Sequence, residues 1–148
     1  MSANILKLVG EKLLHNGAAV SSAEVLKGKL VALYFSAHWC PPCRQFTPEF
    51  ARVYKSLESA NKPLAVVFVS ADQDQEAFNE YFGEQPWYAI PYESQEQRDK
   101  LNETFNIRGI PALLVLNQEG ELVSKEGRPE VMKNKEKAFE LWENKAKA

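Results

Sequence analysis

Cys40 and Cys43 are the only cysteines of the chain, and the two residues between them are prolines, giving Cys-Pro-Pro-Cys. A structural disulfide there would close a very short loop and remove little entropy from the unfolded chain. The pair is therefore suited to redox chemistry rather than to stapling. In thiol–disulfide exchange a thiolate attacks a disulfide sulfur, a mixed disulfide forms, and a second thiol completes the transfer. The two-residue spacing puts Cys43 within reach of the Cys40 sulfur for that second step.

Position assigns the roles. Cys40 follows the end of an apolar run, and helical periodicity begins within the next two or three residues. Pro41 and Pro42 suit a helix start, because first-turn N–H groups lack intrahelical partners anyway. The free N–H groups and partial positive charge of a helix N-terminus favour a thiolate at Cys40. Cys43 lies further into the helix and is expected to be the more buried, as suits a resolving thiol. Two other readings exist. Cys-x-x-Cys is half of many zinc sites, and His15 and His38 are present, but a structural site needs four ligands and there is no second cysteine pair. An inert buried pair is the other, against which two prolines at a strand–helix junction argue. No metal is expected, and no bound organic cofactor, since the dithiol itself carries the electrons.

Several elements must position this pair. Residues 30–35, Leu-Val-Ala-Leu-Tyr-Phe, form an unbroken apolar run after Gly28-Lys29, as a strand buried on both faces requires. From Pro42 to about Ser59, Phe46, Phe50, Val53, Tyr54 and Leu57 recur at three- and four-residue steps, a helical stripe. Pro48 inside that stretch predicts a kink. Residues 64–69 and 112–116 are two further strands. Between them, residues 72–74 open a helix carrying Phe78, Tyr81 and Phe82, and Leu101 and Phe105 sit on another. Asn117-Gln118-Glu119-Gly120 resembles a hairpin turn into Leu122-Val123. At the start, the spacing of Leu6, Val9 and Leu13 predicts a short amphipathic helix. At the end, a charged segment from about Glu130 to Lys147 is expected to dock through Val131, Ala138, Leu141 and Trp142. The pattern is α/β, a central mixed sheet flanked by helices. With no repeat, low-complexity segment or long linker, one domain over residues 1–148 is expected.

Composition bounds the function. A chain of 148 residues can bury roughly two-thirds of its unfolded surface. At 45% hydrophobic and 26% charged, it is neither disordered, collagen-like nor a cysteine-rich secreted scaffold. Eighteen basic against twenty acidic residues give a net charge of −2, without the basic excess of a nucleic-acid footprint, so no nucleic-acid partner is expected. No run approaches the roughly 20 apolar residues of a membrane span, so no membrane partner is expected. Lys7, Gly10, Glu11 and Lys12 interrupt the start before a secretory apolar core can form. The expected setting is reducing: the cytoplasm, with the nucleus as a second location.

With Trp39-Cys40-Pro41-Pro42-Cys43-Arg44 in place, the chain resembles the thioredoxin-like superfamily, and within it the nucleoredoxin and tryparedoxin branch. The resemblance spans residues 28–128. It is most specific from Phe35 through Arg44 and at Thr47-Pro48. Val69-Ser70-Ala71-Asp72, Pro86-Trp87-Tyr88-Ala89-Ile90-Pro91-Tyr92, Gly109-Ile110-Pro111 and Gly127-Arg128 add to it. It implies a thioredoxin-like fold with the cysteine pair at a helix start. It also implies a cis Ile110–Pro111 bond facing the pair, which would present the Ile110 backbone for strand-like pairing with a substrate chain. On its own, Pro111 reads equally well as a strand-start proline.

Thioredoxins proper carry a buried acid six residues before the first cysteine. Here that residue is Tyr34, which reads as core packing, so the group that takes the proton of Cys43 is open between water and Asp72. Trp39 is expected to cover one side of the dithiol and, with Pro41, Pro42, Ile110 and Pro111, to meet the substrate. Asp72 and Arg128 occupy positions resembling the substrate-facing rim of tryparedoxins. Arg44 either adds to the local positive potential or is an exposed first-turn residue. His38, beside Cys40, either helps to hold the thiolate or lies on the surface, and it stays outside the catalytic set.

Ala71-Asp72, Gly109-Ile110-Pro111 and Glu140-Leu141-Trp142 stand where tryparedoxins usually have Trp-Asp, Ser-Ile-Pro and Phe-Pro-Trp. These departures lean towards nucleoredoxin and away from trypanothione as donor. The implied function is reduction of disulfide-containing protein substrates, with a reductase or a low-molecular-weight thiol restoring the dithiol. The competing reading is a redox-sensing binding module whose partner affinity follows the oxidation state of Cys40 and Cys43. A disulfide-forming oxidant would need an oxidising compartment.

Overall fold

The three apolar runs form the centre of one sheet. In the computed structural model, which describes residues 3–147, β3 (Leu30–Ser36) lies between β4 (Leu64–Ser70), parallel to it, and β6 (Ala112–Leu116), antiparallel. β5 (Tyr88–Ala89) adds parallel to β4, and β7 (Leu122–Ser124) antiparallel to β6. A hairpin of β1 (Lys12–His15) and β2 (Ala18–Ser21) extends the β5 side through one register pair, Leu14 opposite Ala89. The strand order is β2-β1-β5-β4-β3-β6-β7, a mixed sheet as expected.

Alternation along the central strands supplies two apolar faces, as the period of two requires. Ala32, Tyr34, Val66, Phe68, Leu113 and Val115 face α3 (Pro41–Ser59), α4 (Gln75–Phe82), α6 (Gly127–Asn134) and α7 (Ala138–Lys147). Val31, Leu33, Phe35, Val67, Leu114 and Leu116 face α1 (Ala3–Val9), α2 (Ser22–Val25) and α5 (Gln95–Thr104). The second face is sealed by Ile5, Val9, Leu13 and Leu26, none more than 1% exposed.

The helix runs through Pro48 as one 19-residue element. Asp74 caps α4, accepting the Ala77 N–H at 2.8 Å. Gly127 opens α6 so close to β6 that a Cβ there would stand 2.7 Å from the Leu113 carbonyl oxygen, which only glycine permits.

Two expectations are corrected. Leu13 does not continue the N-terminal helix, which ends at Val9; it lies in β1. Gly10 leaves the helix at φ 89°, and Asn16-Gly17 makes the turn with φ 51° and 81°, the two positive values of a tight two-residue hairpin. At the other end, the helix is interrupted at residues 135–137, where Lys135 takes φ 54°, and the docking residue is Phe139 (1% exposed), not Leu141 (36%). The other expected contacts, Val131, Ala138 and Trp142, are buried.

Candidate active site

β3 ends at Ser36, the chain turns through residues 37–39 with the Cys40 N–H on the Ala37 carbonyl, and α3 begins at Pro41. Cys40 is therefore the N-cap residue, in extended conformation. Its sulfur accepts the Cys43 N–H at 3.4 Å, and its carbonyl accepts the Arg44 N–H at 3.1 Å. Pro41 and Pro42, both exposed, fill the first two helical positions, where no intrahelical partner exists for an N–H. A helix N-terminus with one N–H aimed at the Cys40 sulfur stabilises negative charge there.

Cys40 is itself only 5% exposed, and Cys43 lies deeper. It is fully buried, and burial, followed by its hydrogen bond with Cys40, pushes its thiol up to about 11. Both cysteines are free thiols. At neutral pH Cys43 holds its proton.

Ile110 reaches the pair from 70 residues away: the Cys40 thiol faces its carbonyl oxygen at 3.8 Å. The Ile110–Pro111 peptide is cis, and Pro111 is buried while Ile110 is half-buried. Trp39 is 54% exposed, yet its indole N–H donates to the Ala71 carbonyl at 2.9 Å, so an exposed ring is tethered beside Cys40.

Asp72 is 5% exposed. One carboxylate oxygen accepts the His38 N–H at 2.7 Å, and the other accepts the Ser70 hydroxyl at 2.8 Å. Its own carbonyl accepts from Tyr92 at 2.9 Å. The first of these bonds fastens the loop that carries the cysteines, and the second ties Asp72 to the end of β4. Beneath it, Arg98 donates to the Ser70 and Tyr92 carbonyls at 3.2 and 2.6 Å and lies 4.3 Å over the Tyr92 ring. Arg128, exposed in the first turn of α6 directly after the Gly127–Leu113 approach, has no ion-pair partner among the described residues, and neither has exposed Arg44.

Tyr34 is core, as its apolar strand implies: it is fully buried and packs its ring against Phe46, Phe50, Phe68 and Trp87. Its hydroxyl bonds Thr47, which bonds Tyr81, which bonds Ser36. His38 stacks on Tyr81 at 5.4 Å. Sequence reasoning missed Thr47, Tyr81 and Ser36 as polar groups of the site. Nothing marks a buried hydroxyl in a linear pattern, and Tyr81 was legible only as part of an apolar helix face. Among the described residues no group of three or more His, Cys, Asp and Glu could hold a metal, and His15 lies against Tyr88 on the far side of the sheet from α3. No helix of the described residues is long and apolar enough to cross a membrane.

A family model described as thioredoxin-like matches residues 28–122. The chain belongs to the thioredoxin-like family. It is 41% identical over 129 residues to nucleoredoxin of Mus musculus, covering 87% of this chain and 29% of that protein. It is 38% identical to tryparedoxin of Trypanosoma brucei brucei over 120 residues, 80% of this chain and 83% of that one. The chain therefore spans about a third of the curated nucleoredoxins and most of the tryparedoxin. Among solved structures, tryparedoxin from Trypanosoma brucei superimposes with a TM-score of 0.86 at 35% identity, covering 94% of this chain and 97% of that chain. Tryparedoxin II complexed with glutathionylspermidine gives 0.85 at 32%, covering 90% and 94%. The fold expected from the motif is thereby shown. Cys40 and Cys43 stand together at the N-terminus of α3, an arrangement suited to thiol–disulfide exchange.

Proposed function

We propose that the chain is a protein-disulfide reductase in which Cys40 attacks and Cys43 resolves. The observation that carries this is the asymmetry of the pair: the Cys40 sulfur sits at the N-cap and accepts an N–H, while Cys43 is sealed and keeps its proton. The Cys40 thiolate attacks a substrate disulfide, forming a Cys40–substrate bond and releasing one substrate thiolate. The Cys43 sulfur then bonds Cys40, the second substrate sulfur leaves with the electron pair and a proton, and two electrons have passed to substrate.

Around the sulfur, the exposed ring of Trp39, the exposed Pro41 and Pro42 and the Ile110–Pro111 segment form the substrate rim. We assign Arg128, an exposed cation in the first turn of α6, to the substrate, and Asp72 acts on the rim through the loop it fastens. Likeness to a tryparedoxin solved with glutathionylspermidine supports a low-molecular-weight thiol as the donor class, with a protein reductase as its alternative. A dithiol that must be kept reduced belongs in the cytoplasm or nucleus.

The test is insulin disulfide reduction with dithiothreitol, wild type beside Cys40→Ser and Cys43→Ser. Fast turnover abolished by Cys40→Ser is expected. A wild-type rate no faster than dithiothreitol alone refutes general reductase activity and favours the redox-sensing binding module.

A further inference from the structure

Arg98 is a buried cation that the thiol chemistry does not use. It lies on α5, is 9% exposed, and has no ion-pair partner among the described residues. Its Nε has no hydrogen-bond partner among them either. Burying a charge without a carboxylate is costly, so for packing alone an apolar side chain would serve better. What arginine adds is a planar fork that holds two acceptors at once. One arm takes the Ser70 carbonyl, at the end of β4, at 3.2 Å. The other takes the Tyr92 carbonyl, in the loop after β5, at 2.6 Å, and the guanidinium lies 4.3 Å over the Tyr92 ring.

The fork grips one end of a short bracket, residues 70–72. Three successive carbonyls of this bracket are each taken by a side chain from elsewhere: Ser70 by Arg98, Ala71 by the Trp39 indole, and Asp72 by the Tyr92 hydroxyl. The same bracket carries the cysteine loop at three points. The Ala71 N–H donates to the Ser36 carbonyl at 2.9 Å, the Trp39 indole N–H to the Ala71 carbonyl at 2.9 Å, and the His38 N–H to the Asp72 carboxylate at 2.7 Å. The carbonyl that tethers Trp39 therefore lies between two that Arg98 and Tyr92 hold. The contacts of the Cys40 sulfur come from other elements: the Cys43 N–H of α3 and the Ile110 carbonyl. Loosening the bracket thus reaches Trp39 and leaves the surroundings of the thiol in place.

We propose that Arg98 and Tyr92 are positioning residues for protein substrates: by bracing residues 70–72 they hold Trp39 in place at the rim, and they act on substrate docking rather than on the sulfur chemistry. This rests on the reading of Trp39 as part of the substrate rim. A side chain that is already ordered loses little freedom when a partner binds, whereas a loose one must be immobilised at that moment. A small disulfide that reaches Cys40 without covering Trp39 gains nothing from the brace.

The test is the single-turnover rate constant of the reduced protein with insulin and, separately, with hydroxyethyl disulfide. Wild type is run beside Arg98→Met, Tyr92→Phe and Trp39→Ala. Tyr92→Phe keeps the ring beneath the guanidinium and removes only the bond to the Asp72 carbonyl. The ordering of one large side chain bounds the effect at about two- to tenfold. Arg98→Met is expected to slow insulin towards the top of that range and Tyr92→Phe towards the bottom, with hydroxyethyl disulfide unchanged in both. In a Trp39→Ala background neither is expected to slow insulin further, a non-additivity that a general loss of stability does not produce. Acrylamide quenching follows the ring itself, because Trp87 and Trp142 are fully buried and Trp39 is not; quenching is expected to rise in both variants. Tyr92→Phe decides alone if Arg98→Met does not fold. Insulin rates matching wild type, equal slowing with both disulfides, or the same slowing with and without Trp39 overturns the proposal. An insulin rate unchanged by Trp39→Ala overturns the rim reading on which it rests, and a wild type inert towards insulin overturns the reductase reading instead.

Discussion

Thr47→Val removes one hydroxyl from the molecule and keeps the side-chain shape. Thr47 is 3% exposed, and its oxygen holds three partners: Tyr34 at 2.6 Å, Tyr81 at 2.6 Å and the Cys43 carbonyl at 2.9 Å. Tyr81 keeps Ser36, but the Tyr34 phenol is left buried without a partner, which costs about 1–3 kcal/mol. The two other lost bonds add about 1 kcal/mol, for a total near 3 kcal/mol. In a chain of this size that lowers Tm by roughly 6–12 °C. Tyr34→Phe alone removes the stranded group's partner in the other direction and costs only about 1 kcal/mol, because Thr47 still has Tyr81. In the double variant no phenol is stranded, so the loss is expected to be smaller than the sum of the singles by at least about 1 kcal/mol. Urea denaturation of the reduced protein at neutral pH measures all three. Losses that add within about 0.5 kcal/mol would refute the hydrogen-bond chain as drawn.

Burial, then the Cys40 hydrogen bond, raises the Cys43 thiol to about 11, whereas an unfolded thiol titrates near about 8.5. The folded state keeps a proton that the unfolded state gives up, so this stability is complete below about pH 8 and is lost as pH rises towards 11. The unfolding free energy of reduced wild type relative to Cys43→Ala is therefore expected to fall by roughly 3 kcal/mol over that interval, and parallel curves would contradict it. Asp72→Asn replaces an oxygen that accepts from His38 or Ser70 with an N–H2 that cannot, costing about 2 kcal/mol and speeding hydrogen exchange at the His38 amide, with unchanged exchange as the opposing result. Gly127→Ala drives a methyl into Leu113, and chemical denaturation is expected to show a loss of about 1–3 kcal/mol; an unchanged midpoint would mean that α6 shifts freely.

The central strands were legible as unbroken apolar runs, and α3 because its apolar residues recur at helical steps along 19 residues. β5 is two residues between Pro86 and Pro91, too short for any pattern. Leu13 fits a helical stripe with Leu6 and Val9, and the competing signal was Asn16-Gly17 between short apolar runs. The interruption at Lys135 falls on a non-glycine residue and had no marker. At the site, the cysteines were legible because their spacing is local. Ser36–Tyr81 and Thr47–Tyr81 are pairings across 45 and 34 residues, set by which strand α4 covers. Asp72 stood out as a charge, but its burial under His38 depends on where two loops meet.

The segment that identifies the family and the segment that makes a stable object are not the same length of chain. The family model matches residues 28–122, but Ile5, Val9, Leu13 and Leu26 lie before it and Val131, Phe139 and Trp142 after it, all buried. At about 1.5–3 kcal/mol for each large apolar side chain, the four on the N-terminal side alone contribute roughly 6–12 kcal/mol, comparable with the whole net stability of a domain. A chain trimmed to the matched residues would retain both cysteines and expose the strand face behind them. Minimal redox modules cut from such a protein therefore need their borders drawn by burial, not by the span of the family model alone.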